Sequence, residues 1–193
     1  MTDTNPAYAG ISCRPDGAIL CYPVITTGRY THQSSVEALI GKNPPAEDLR
    51  YFSLEKNVTD RTVPCFLWQT AADDLVPVEN SYLFANALKE KGVPFAHHVF
   101  QEGFHGLSVA SEDFFRGKFG EPYTMAQVMR AVQAVKAGNG VNVSDRRRAE
   151  LEAQFPDPPA ASLAPSENDI REQTGRYEDV RQWVSLASLW MRR

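Results

Sequence analysis

The sequence predicts an α/β fold in which a parallel sheet is flanked by helices, with a helical insertion ahead of the last helix. Three observations predict it. Two short, continuous apolar runs, GAILCYPVI at 17–25 and VPCFLW at 63–68, suit strands buried on both faces. A helical pattern at 77–91 leads into a third apolar stretch at 95–100, and glycine or proline punctuates the junctions. The order strand, excursion, strand, helix, strand is that of a parallel sheet, whose ligands gather at the carboxyl ends of the strands.

Bulk properties narrow the class. At 193 residues, with 42% apolar and 23% charged side chains, the chain has the size and composition of one globular domain over 1–193. A net charge of −4 gives no attraction to nucleic acid or to an anionic membrane, so neither is expected as a partner. No apolar run approaches the roughly 18 residues of a membrane span. The opening MTDTNPAYAG has no basic segment followed by an apolar one, so no signal peptide is expected and the expected setting is cytoplasmic. Cys13, Cys21 and Cys65 are odd in number, and their spacing fits neither a disulfide framework nor a zinc site. Cys21 and Cys65 read as small buried hydrophobes, and no cofactor or metal is expected.

Taken in order, the first strand lies within 17–25, between Pro15-Asp16 and Thr26-Thr27-Gly28. Residues 28–62 are polar and irregular, with short helical stretches at 35–40 and 46–52, and read as a lid-like excursion over the strand ends. The second strand, 63–68, runs into a loop at Asp73. Pro77 opens a helix to Lys91 with Val78, Phe84, Ala87 and Leu88 inward, closed by Gly92. The third strand, 95–100, runs into a turn at His105.

Residues 112–176 read as a helical insertion with a proline-rich linker. Thr124-Met125-Ala126-Gln127 has the form of a capping box, and Met125, Val128, Met129, Val132 and Val135 follow at helical spacing. A charged helix at 144–154 precedes the linker 155–168, which holds Pro156, Pro158, Pro159 and Pro165. The C-terminal helix, about 177–191, presents Val180, Trp183, Val184, Ala187 and Trp190 as a single stripe for docking on the sheet.

The chemistry gathers at two strand ends. An acid and a histidine, each just past its own parallel strand, can meet above the sheet edge, and together they form the Asp-His part of a hydrolytic triad. Asp73 is the candidate acid and His105 the candidate base. Asp74 is the rival acid by one position, set aside because Asp73 comes first after the strand. Gly103 and Gly106 free the backbone around His105. His97 and His98 fall on opposite faces of the third strand and read as packing residues; His32 lies in the excursion without a nameable partner.

Four stretches carry a resemblance: PDGAILCYPVI (15–25), SLEKNVTDRTVPCFLWQTAADDLVPVENS (53–81), GFHGLS (103–108) and RQWVSLASLWMRR (181–193). They resemble the C-terminal part of α/β-hydrolase-fold esterases, especially acetylesterases and acetyl-xylan or feruloyl-type carbohydrate esterases. The resemblance implies a partial α/β-hydrolase fold, the C-terminal half of the sheet. It also implies hydrolysis of carboxylic esters by a Ser-His-Asp mechanism, with acetyl or other small esters of carbohydrates as substrates. Gln69 departs from the pattern, since these relatives often carry histidine there. A larger departure is that no G-x-S-x-G elbow occurs, and Gly10-Ile11-Ser12-Cys13-Arg14 is no substitute. The nucleophile and the glycine-rich oxyanion loop are expected upstream of Met1, leaving this chain inactive alone. Ser12, Ser34 and Ser81 are the local serines that could otherwise serve. The alternative is a non-catalytic binding module, whose exposed sheet edge offers a route to homo-oligomers.

Overall fold

A computed structural model describes residues 12, 14–118, 125–139, 141–155 and 165–193. The expectations for MTDTNPAYAG, Cys13, the capping residue Thr124 and Pro156, Pro158 and Pro159 lie outside the described residues. The chain builds two compact units, one from residues through Leu107 together with Trp183–Arg193, the other from Ser108–Gln182.

The first unit is organised by three parallel strands in the order β1 (Ala18–Cys21), β2 (Cys65–Thr70) and β3 (Phe95–Phe100). β2 is the middle strand, and all six of its residues are buried. Its side chains alternate between two cores. Cys65 and Leu67 face a cluster with Ile25, Val58, Phe84, Leu88 and Val93, in which α3 (Glu79–Glu90) supplies Phe84 and Leu88. Phe66 and Trp68 face the opposite way. There Trp183 stacks on Trp68 at 5.1 Å and Trp190 lies 5.9 Å from Phe66, both carried by the C-terminal helix Trp183–Trp190. Burying each of these large side chains contributes about 1.5–3 kcal/mol.

β1 is shorter than the apolar run that predicts it and is buried only in part, with Ile19 38% exposed. The strand stops because Tyr22 takes a φ of +39° and Pro23 has no N–H for the ladder. The apolarity of Val24 and Ile25 serves another purpose: Ile25 enters the α3-side core. Its N–H and that of Thr26 donate to the fully buried Asn80 Oδ1, whose amide donates onward to Tyr30 O and Pro77 O. The excursion then carries α1 (Gln33–Ile40) and α2 (Ala46–Phe52).

The second unit holds α4 (Glu112–Phe115), α5 (Met125–Lys136), α6 (Asp145–Gln154), α7 (Glu167–Arg176) and α8 (Glu178–Arg181). Several of its described helix ends are met by side chains. Ser144 caps α6, and Ser166 with Asp169 forms a reciprocal capping box on α7. Arg148 donates to Val135 O and Lys136 O at the carboxyl end of α5. The single C-terminal helix expected at 177–191 is two helices, α8 and α9 (Trp183–Trp190), parted at Gln182. The expected stripe parts with it: Val180 belongs to the second unit, whereas Trp183, Ala187 and Trp190 belong to the first. Val184 is 43% exposed and takes no place in the core. No helix among the described residues is long and apolar enough to cross a membrane.

Candidate functional site

The register of β2 and β3 sets the site. Thr70 pairs with Phe100, so the two strands end level, and Ala71 N donates to Phe100 O at 2.7 Å as the chain leaves the sheet. Asp73 and His105 stand in the two loops that begin there. Thr70 Oγ1 donates to Gly103 O at 2.8 Å, tying the histidine turn to the end of β2. Gly103 has a φ of +141°, and a Cβ there would lie 2.4 Å from Leu107 Cδ1 and 2.7 Å from Thr70 Cγ2, so only glycine fits.

The Asp73 side chain is wholly shielded from solvent and surrounded by donors. Oδ1 accepts from Leu75 N at 3.0 Å and Val76 N at 2.9 Å. Oδ2 accepts from Gln69 Nε2 at 3.3 Å and from His105 Nδ1 at 2.9 Å. A carboxylate only accepts, so the imidazole bonds through Nδ1–H, and the neutral ring keeps the Nε2 lone pair free to take a proton. The His105 side chain is 24% exposed, which leaves the ring reachable from outside. Tyr22 packs edge-on against it at 4.8 Å.

The structure thus brings His105 to Asp73 and gives Asp74 a different place. Asp74 is exposed, and its Oδ1 accepts from the His105 backbone N–H at 3.3 Å, not from the ring. The other histidines lie elsewhere. His97 Nε2 bonds Ser81 Oγ at 3.0 Å, and His98 lies 5.1 Å from Phe66, so the two point to opposite faces of β3. Burial, and then the neighbouring His98, hold the His97 pKa below the ordinary histidine range; burial does the same to His98. His32 bonds Ser35 and Ser34 at 2.8 and 3.0 Å. The described hydrogen bonds of Ser12, Ser34 and Ser81 run to Arg14 N, to His32, and to Val78 O and His97. None of them runs to His105.

Burial pushes the thiols of Cys21 and Cys65 up, which suits inert packing residues. Among the described residues no three His, Cys, Asp or Glu side chains stand close enough to hold a metal. Two contributors to the site had no role assigned to them from the sequence. Tyr22 abuts the imidazole because its strained backbone turns it there, and no local motif announces that. Gln69 was marked by its departure from the family pattern and as the one amide in β2.

Comparison with known proteins places this geometry in context. The prolyl oligopeptidase family matches residues 17–116. An endo-1,4-β-xylanase B from Butyrivibrio fibrisolvens is 66% identical over 135 residues, covering 70% of this chain and 21% of its own length. The solved acetyl ester-xyloside bifunctional hydrolase from Caldicellulosiruptor lactoaceticus is 41% identical over 66% of this chain and 45% of its own, with a TM-score of 0.51. The chain therefore spans about a fifth of the first relative and under half of the second. With its parallel sheet, flanking helices and a match over more than half its length, the chain belongs to the prolyl oligopeptidase family and carries part of an α/β-hydrolase fold.

Proposed function

We propose that the chain furnishes the acid and base of a Ser-His-Asp carboxylic ester hydrolase, with Asp73 as acid and His105 as base. The proposed substrates are acetyl or other small esters of carbohydrates. The observation that carries this reading is the 2.9 Å bond from His105 Nδ1 to a carboxylate shut away from solvent. In that arrangement Nε2 takes the proton of an attacking serine hydroxyl, and Asp73 holds the tautomer and balances the imidazolium that forms. The ring then returns the proton to the leaving alcohol. The Caldicellulosiruptor relative is an acetyl ester-xyloside bifunctional hydrolase, which supports ester over peptide as the bond cleaved.

In this reading the serine and the oxyanion donors come from outside the 193 residues, and the chain alone turns over no ester. Two measurements test it. The purified chain is assayed with p-nitrophenyl acetate and a fluorophosphonate probe; His105-dependent turnover would overturn the claim that it is inactive alone. The chain is also exchanged for the matching segment of the Caldicellulosiruptor hydrolase. A folded chimera that cleaves acetyl esters, and stops doing so as His105→Ala, is the expected result; a folded but inactive chimera would overturn the triad roles.

The open sides of the sheet favour a second reading, in which the chain is a binding module. Among the described strands β1 and β3 each pair on one side only. A second copy pairing along such an edge would give a dimer by light scattering at micromolar concentration, whereas a monomer with a cooperative melt counts against it.

A further inference from the structure

Gln69 is the one polar side chain that the centre of the sheet directs at the acid. It is wholly buried, and its amide faces two acceptors, Asp73 Oδ2 at 3.3 Å and Val76 O at 2.7 Å. Both neighbours accept, so the amide nitrogen must be turned toward them; the flipped amide would set Oε1 against two oxygens. The reverse side of the amide is a cost. Gln69 Oε1 is buried with no partner among the described residues, which disfavours the fold by about 1–3 kcal/mol. An apolar residue here, like Leu67 two positions earlier on the same face, would avoid that cost.

What the amide contributes lies at Asp73. Oδ2 holds two donors, the Gln69 amide and the imidazole, while Oδ1 holds two backbone N–H groups from the turn at Leu75 and Val76. Gln69 grips that same turn through Val76 O. One side chain therefore restrains both the carboxylate and the loop that presents donors to its other oxygen. We propose that Gln69 is a positioning residue that holds Asp73 Oδ2 on the His105 Nδ1–H and so fixes the tautomer of the base, a role that rests on the acid and base assignment above. It acts through Asp73 and touches no substrate.

The test uses the 193-residue chain labelled with 15N at histidine, so it needs no turnover. Long-range proton–nitrogen correlation reads which ring nitrogen of His105 carries the proton, and a low-field, exchange-protected resonance reports the Nδ1–H bond to Asp73. The parent chain is expected to show the Nδ1–H form with the protected proton. Gln69→Met matches the length of the side chain and removes both donors, and is expected to lose the protected proton and gain the Nε2–H form while the far-UV spectrum is kept. Gln69→Leu also removes both donors, and is expected to do the same. Gln69→His, which retains a ring donor, is expected to restore the protected proton. If a folded Gln69→Met or Gln69→Leu keeps the parent signature, the proposal is overturned. It is also overturned if neither variant folds, since Gln69 is then a fold-holding residue. A chimera that shows the parent signature but no ester turnover would defeat the hydrolase reading instead, leaving the positioning intact.

Discussion

Thr70 Oγ1 donates to the carbonyl of Gly103 at 2.8 Å, joining the end of the middle strand to the turn that carries His105. Both groups are buried, and Gly103 has no room for a Cβ. Gly103→Ala should therefore cost at least about 2 kcal/mol through positive-φ strain and overpacking. Thr70→Val, which keeps the shape and leaves a buried carbonyl unpaired, should cost roughly 1–2 kcal/mol. Urea unfolding of the two variants checks both values, and a midpoint unchanged in Gly103→Ala would show that the turn repacks freely.

Asp73 and Asp74 are neighbours with separate duties, so their amide variants should separate. In the active chimera Asp73→Asn is expected to lower kcat by about 10⁴-fold, the scale seen when a triad acid is lost with geometry kept. Asp74→Asn retains an oxygen for the His105 backbone N–H and is expected to change kcat by less than about tenfold. Comparable losses in the two would move the acid role away from Asp73 alone.

Asn80 uses its whole amide to seal the exit of β1, accepting from Ile25 N and Thr26 N and donating to Tyr30 O and Pro77 O. Asn80→Leu strands two backbone N–H groups. It should destabilise the chain by roughly 3 kcal/mol in chemical denaturation. A variant within experimental error of the parent would mean that the exit loop finds other partners.

His97 predicts a pH effect of known sign. Its pKa is depressed by burial and by His98, so the unfolded chain takes up a proton where the folded one resists it. The folded state is unpenalised above the ordinary histidine value of about 6.5 and loses stability as pH falls through that value. Ser81 Oγ and the Tyr82 ring are the other groups beside it. His97→Gln should flatten the fall in urea midpoint between pH 7.5 and about 5.5. An unchanged slope would assign the acid sensitivity to other groups.

The pairing of Asp73 with His105 was legible because each residue follows an apolar run, and parallel strands bring such endings to one edge. Gly103 and Gly106 also marked the turn in advance. What escaped were features set by distant chain. Hydropathy continues through Ile25, but the strand ends at Cys21, because Tyr22 turns and Asn80, far along the sequence, takes over the backbone donors. The stripe from Val180 to Trp190 is helical in spacing, yet the chain passes from one unit to the other at Gln182. Gln69 was visible as a departure, but its partners depend on the curl of the 73–76 turn, which no periodicity encodes.

The level ending of Thr70 beside Phe100 carries one more consequence. A slip of one residue between these strands would displace the histidine loop by about 3.3 Å and invert which face each β3 side chain meets. The imidazole would then be out of reach of Asp73, and His97 would trade places with His98. The hydrogen bond between His105 and Asp73 is therefore a gauge of alignment: a misthreaded sheet could hide its error in a greasy interior, but not at the junction where a shielded carboxylate must meet its ring donor.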